Sequence, residues 1–371
     1  MSADMTRICL PIALISILAF GACSTLPGMK DGAARKTDKQ KANGIAAEAA
    51  WLAECVKLGE TVGTITGREG WLFAASELKA IGREGSTTSA VDAITDYAAA
   101  LNGKGIELIL VPVPPKAFVY PDKISKNVKV PIRSKRMPRL DSQMQAAMEA
   151  LEAKNVSVVD LLPVLIASRE MKTSTAFPRT SSTWAPAGVE AAAKEIAEAV
   201  KKSKAGSQAG SSSGIVAQPG VITFKGGLAN GIENIQSESL PCVTVGRITG
   251  DKQKSLGFET SGGSLLMIGA TDMLAWRENN NPAGSRAAFA SLVEQLAAEL
   301  QLIPDVISGG ADAKNSARLR ILRDCTNDQG ALDSTKTVVW VVPALDLYSP
   351  SWARVPLQLL FSESGPDIQL R

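Results

Sequence analysis

Ile106-Glu107-Leu108-Ile109-Leu110-Val111-Pro112-Val113-Pro114 is the stretch on which the fold turns. It is almost continuously apolar, short, and stopped by prolines. A half-buried strand would alternate apolar and polar residues, whereas an unbroken run suits a parallel strand covered on both faces. Val156-Ser157-Val158-Val159-Asp160-Leu161, Ser264-Leu265-Leu266-Met267-Ile268-Gly269 and Thr337-Val338-Val339-Trp340-Val341-Val342 read as three more such strands. Helical patterns lie between and around them, over residues 45–60, 88–104, 141–154, 187–201 (after Pro186, suited to a first turn), 287–300 and 314–323. Strands alternating with helices predict an α/β fold with a mainly parallel central sheet. The Lys/Gly/Ser-rich residues 203–214 read as a flexible excursion. With no second linker, residues 45–371 are expected to form one domain.

The chain has 371 residues and no histidine. Ser-His-Asp and Cys-His catalysis, imidazole bases and His-containing zinc sites are therefore excluded. No cysteine spacing suits a metal, and nothing implies a cofactor. Net charge is +3, and residues 24–44, with five cations against two acids, hold all of it. The body beyond is formally neutral, with no basic footprint for nucleic acid. Aromatic residues make up 5% of the chain, too few for a broad base-stacking platform.

Arg7 precedes an apolar run, Ile8 to Phe20, followed by Gly21-Ala22-Cys23. A basic start, a short apolar core and small residues before a cleavage point make an export signal over residues 1–22. The run is shorter than the ~20 residues that span a bilayer. Cys23 after Gly-Ala resembles a bacterial lipoprotein box, with Phe20 where Leu is usual. That resemblance implies a lipidated Cys23, and Ser24 implies sorting to the periplasmic side of the outer membrane. Residues 23–44 would then be a polar tether. The plainer alternative is cleavage near Ala22 with Cys23 incidental. Cys55, Cys242 and Cys325 would enter an oxidising compartment, where one pair and one leftover thiol is the natural expectation.

Six segments in register resemble the alginate O-acetyltransferase family, the AlgX/AlgJ-like SGNH proteins. Gly67-Arg68-Glu69-Gly70-Trp71-Leu72-Phe73 is similar to the family's opening Gly-x-x-Gly-Trp-Leu-Phe. Gly105 to Pro121 resembles the first core strand and its loop, and Val159-Asp160-Leu161 the second strand. Trp184-Ala185-Pro186-Ala187-Gly188 resembles the tail of the Asp-Thr-His-Trp-x-Pro-x-Gly motif. Leu266 to Thr271 stands where the family has a strand and a Gly-Asp-Ser-Phe turn, and Lys336 to Val342 resembles a late strand. The resemblance implies an SGNH-hydrolase-like three-layer sandwich with the Asp/His motif before the nucleophile motif. It also implies a disulfide between Cys55 and Cys242, with Cys325 free.

The sequence departs from the family where the chemistry sits. Ser181 and Thr183 stand at the Asp and His positions, and Ala270 and Thr271 at the turn Asp and the nucleophile. A threonine hydroxyl needs a base. Lys116, after the first core strand, is one candidate base; the plainer reading makes it a solvated loop charge and both threonines cleft hydroxyls. Tyr120, Trp184, Trp276 and Arg277, with Lys116, are candidate ligand contacts, since ligands of open α/β sheets sit beyond the carboxyl ends of the strands. The expectation is an envelope protein of exopolysaccharide acetylation, synthesis or export. It would lack catalysis, attach to the membrane by lipid, and bind polysaccharide or machinery proteins. An active O-acetyltransferase or esterase with a non-histidine base and a purely structural lipoprotein are the alternatives.

Overall fold

The computed structural model describes residues 28–83, 85–132, 137–169, 174–212, 214–249, 252–258, 262–277, 289–310, 312, 314–328 and 330–357, with side chains from residue 43 onward. The export signal and Cys23 lie outside the described residues. The chain divides into two units, residues 1–43 and residues 44–371. In the first, what is described is helical backbone, part of helix α1 (Gly28–Gly59). The helix expected from residue 45 thus begins earlier, within the stretch read as a tether.

The second unit is built on five parallel strands. β3 (Glu107–Val113), β4 (Ser157–Val158), β8 (Leu265–Gly269), β9 (Asp305–Ser308) and β10 (Thr337–Pro343) take the spatial order β4-β3-β10-β8-β9. Trp340 on β10 stands between Leu110 of β3 and Ile268 of β8. All five residues of β8 are buried, as are the central five of β3. Burial on both faces is why these strands read as continuous apolar runs. Helices α3 (Thr88–Gly103) and α7 (Pro186–Lys202) both pack on β3, with α5 (Ser142–Glu152) behind α3 and α6 (Leu162–Ser168) and α8 (Leu292–Leu300) beside α7. From β3 the chain crosses to β4 at one edge; from β8 it crosses to β9 at the other, then returns through α9 (Ser316–Asn327) to place β10 in the middle. This reversal creates a crevice at the carboxyl ends of β3, β10 and β8.

Beyond the four strands read as apolar runs, the central sheet gains β9 at one edge, and two further pieces of sheet form. β1 (Thr64–Thr66) pairs with β2 (Leu72–Ala74), and α2 (Ala75–Ile81) follows. Between α7 and β8 lies an antiparallel sheet of β5 (Ile215–Phe224), β6 (Glu238–Thr249) and β7 (Lys252–Lys254). Residues 203–212, read as flexible, form a bonded corner instead. The Ala205 N–H donates to Thr337 Oγ1 (3.0 Å), and those of Gly210 and Ser212 donate to the carbonyls of Leu300 and Gln301 (both 2.8 Å). Helix α8 starts later than expected because Ser291 and Glu294 form a capping box at its amino end. The Cys55–Cys242 bridge is not formed: Cys55, Cys242 and Cys325 are all buried free thiols. Cys55 sits on α1 and Cys242 faces Gly220 across the β5–β6 ladder. Burial pushes all three thiols up, Cys242 and Cys325 to about 11, so they remain protonated near neutral pH.

Candidate functional site

β8 ends at Gly269, whose φ of 146° and close approach to β10 exclude a side chain: a Cβ there would stand 1.9 Å from the Val341 carbonyl oxygen. The chain then turns through Ala270 into a short 3-10 helix, Thr271–Leu274. Thr271 and Asp272 are exposed on this turn and Ala270 is buried. Across from it runs the segment 179–184, which carries Ser181 and Thr183. Two tryptophans clasp the segments together. The Trp184 indole N–H donates to the Asp272 carbonyl (3.1 Å), and that of Trp276 donates to the Trp184 carbonyl (2.8 Å). Trp276 holds a φ of 73°, unusual for a bulky residue.

The 179–184 segment is fixed from both sides. Glu238 on β6 accepts the N–H groups of Arg179 (2.9 Å) and Thr180 (3.1 Å) and the Thr180 hydroxyl (2.8 Å). From beneath, the ammonium of Lys116 donates to the carbonyls of Leu72 (2.8 Å), Arg179 (2.8 Å) and Ser181 (3.1 Å). Within the segment, the Thr183 N–H donates to Ser181 Oγ (3.0 Å). Both positions expected to have lost their catalytic residues are therefore held in ordered, bonded backbone.

Between the segments lies a cavity of about 150 Å³. Its polar groups belong to Glu77, Ser182, Thr183 and Asp272, and its walls are Pro114, Pro115, Phe177, Trp184 and residues 341–345. Its size is below the ~300–1,000 Å³ of drug-sized pockets. It suits one small group rather than a long stretch of chain. A larger groove of about 590 Å³ is lined from α3, α5 and the starts of β3 and β4, away from these motifs. The smaller cavity occupies the topological crevice, and for that reason is the candidate site.

The expected ligand contacts fare unequally. Trp184 borders the cavity although it is almost wholly buried. Lys116 is neither a solvated charge nor a free base: it is fully buried on α4 (Lys116–Val119), and its three donors each have a carbonyl acceptor. Tyr120 is buried against Trp71, ring centroids 4.0 Å apart, with its hydroxyl on Thr175 Oγ1 (2.6 Å). Trp276 is buried on Phe224. Arg277 stacks on Phe258 and pairs with buried Glu294 (3.4 Å). These four follow strands as expected, but they pack inward.

The site holds two carboxyls that the sequence did not single out. Glu77, on α2, accepts the Ala117 N–H (3.3 Å) and stands beside Lys116. Burial raises its pKa and lowers that of Lys116, each to about 7, while the attraction between them opposes both shifts. Asp272 is open to solvent yet sits in a concave surround, and desolvation raises its pKa. Nothing in local spacing marks Glu77, whose partner lies 39 residues on. Asp272 had one signal, its place directly after Thr271. Among the described residues no group of three His, Cys, Asp or Glu is placed to hold a metal. The arrangement offers hydroxyls, carboxyls and apolar walls to a ligand, and no imidazole.

A sequence model described as "SGNH hydrolase-like domain, acetyltransferase AlgX" matches residues 64–272. The probable alginate O-acetylase AlgJ of Pseudomonas aeruginosa is 27% identical over 141 residues, which is 38% of this chain and 34% of that protein. The corresponding protein of Pseudomonas putida is 29% identical over a similar span. The chain thus matches about a third of the length of these curated relatives. In fold, it is similar to the O-acetyltransferase domain of P. putida AlgJ, with a TM-score of 0.55 at 20% identity, covering 81% of this chain and 98% of that one. It is similar also to P. aeruginosa AlgX, with a TM-score of 0.55 at 14% identity, covering 81% and 66%. With the family model covering more than half its length and the SGNH-like sheet in place, the chain belongs to the AlgX/AlgJ-like alginate O-acetyltransferase family.

Proposed function

We propose that this protein is an exported, lipid-anchored member of the family that works without acetyl-transfer chemistry of its own and binds an exopolysaccharide in its cleft. In that role it would present the polysaccharide to proteins of an acetylation, synthesis or export machinery. The ordered, clasped cleft supports the reading, taken together with the motif resemblance, which implies Thr183 at the base position and Thr271 at the nucleophile position. General-base assistance is worth about 10²–10⁴-fold, and a threonine hydroxyl is inert without it. Lys116 is a poor substitute, because three carbonyls hold its donors. Arg7, the apolar run to Phe20 and Cys23 support export and lipid attachment facing the periplasm. The relatives' names concern alginate; this chain's polymer is a separate question.

The test is a titration of the full chain against bacterial exopolysaccharides, followed by calorimetry. Saturable binding that weakens when Trp184 is replaced by Ala is the expected result. A flat titration against every polymer would overturn the reading in favour of a structural lipoprotein. Cys23→Ser should move the protein from the membrane fraction to the soluble one; its retention there would remove the anchor.

A further inference from the structure

The charges at the cavity narrow the ligand. Glu77 and Asp272 are its ionisable lining residues, and among the described residues no lysine or arginine borders it. The ammonium of Lys116, which does not line the cavity, donates to three backbone carbonyls and offsets Glu77. Asp272 carries the remaining charge, exposed at the cavity edge beside Thr271. A carboxylate entering this space would meet a like charge and find, among the described residues lining it, no guanidinium or ammonium to accept it. Recognition of a uronate normally rests on such a cation, with arginine the residue whose fork matches a carboxylate. Sugar hydroxyls, by contrast, donate well to carboxylate oxygens and bond to the hydroxyls of Ser182 and Thr183, while half-buried Val113, Pro343 and Leu345 offer apolar surface to a ring face.

We infer that the cleft takes an uncharged or amine-bearing hexose unit and rejects uronates, so that its polymer is a neutral or amino-sugar polysaccharide rather than alginate. The inference rests on the proposed glycan-binding role and specifies its ligand. Asp272 is the selecting residue: it accepts hydrogen bonds from sugar hydroxyls, attracts a protonated amine, and repels a carboxylate at the same place. Two unit charges ~5 Å apart near a protein surface differ enough in energy to separate ligands by about tenfold or more.

The experiment is a three-arm titration of the full chain at neutral pH and low salt, with cellohexaose, a glucosamine hexamer and a mannuronate hexamer. The glucosamine and cellohexaose arms should bind at least about tenfold more tightly than mannuronate, with the amine arm at least equal to the neutral one. In Asp272→Asn the gap between cellohexaose and mannuronate should shrink by about tenfold. Asp272→Ser serves as a second variant, removing the charge without adding an amide, and should narrow the gap likewise. Mannuronate binding equal to or tighter than cellohexaose would overturn the inference while leaving the glycan-binding role intact. An unchanged gap in both variants would also overturn it, by removing Asp272 as the selector. Failure of all three arms would overturn the inference together with the binding role beneath it.

Discussion

Lys116 gathers three backbone carbonyls, from Leu72, Arg179 and Ser181, onto one buried ammonium. Those carbonyls come from the β2 strand and the motif segment, so a single side chain ties the family's opening motif to the place where its catalytic histidine would stand. Lys116→Met would drive Glu77 to its protonated form and leave three carbonyl acceptors unpaired in a dry site. We expect a loss of about 3–5 kcal/mol of stability, read by chemical denaturation. Glu77→Gln leaves the ammonium bonded to its carbonyls and should cost only about 1–2 kcal/mol. Equal losses in the two variants would contradict this ordering. None of this was legible in the sequence, where Lys116 reads as a loop charge after Pro114-Pro115. Its partners are main-chain oxygens 44 and more residues away, and backbone carbonyls carry no sequence signature. What the sequence did place is the two segments that border the cavity, those of residues 181–183 and 270–271, because their motifs flank them.

At the scale of elements, the parallel strands buried on both faces announced themselves, whereas the half-buried edge strand β9 and the antiparallel β5–β7 sheet did not. β3, β8 and β10 are covered on both faces, so their apolar runs are unbroken. β5 is largely exposed and interrupted by Pro219 and Gly220, and β6 buries Leu240, Cys242 and Val245 among half-buried neighbours. This insert earns its place through Glu238, which holds the motif segment. A second fastening closes the carboxyl-terminal end. Arg318 of α9 is fully buried among Tyr97, Trp340 and Trp352, its guanidinium carbon 5.1–5.5 Å from each ring centroid. It also donates to the carbonyls of Lys314 (2.6 Å) and Ala353 (3.1 Å) and to Asn315 Oδ1 (2.9 Å). Arg318→Met keeps the length of the side chain but loses the bonds and the cation–π contacts. A cost of about 2–4 kcal/mol follows, with residues 350–357 becoming susceptible to limited proteolysis. Unchanged stability and cleavage would show that the cluster is not a fastening.

For the whole molecule, carboxyls desolvated on folding set the response to pH. Burial raises the pKa of Glu77, Glu190, Asp272, Glu294 and Asp346, Glu77 from 4.5 to about 7. Glu54, lowered by its bond from Ser125, acts in the other direction. A group whose pKa is raised on folding binds more protons folded than unfolded, so its stabilisation is full below the unfolded value and is lost as pH rises through the folded one. Lys116, lowered from 10.5 to about 7, gives stability that grows as pH rises over that interval. The thermal midpoint should therefore fall from pH 4.5 towards 7 and recover above it. A midpoint that climbs steadily from pH 4.5 to 7 would contradict this assignment.

The proposal of a cleft without acetyl-transfer chemistry rests on Thr271 and Thr183 standing where the motif resemblance implies a nucleophile and its base. Acetyl release from a chromogenic acetyl ester, measured for the unaltered protein beside Thr271→Ala, tests that most directly. Equal rates for the two, no faster than buffer, are expected. Turnover above buffer that disappears in Thr271→Ala would contradict the proposal, and would make the cleft an active site with an unrecognised base.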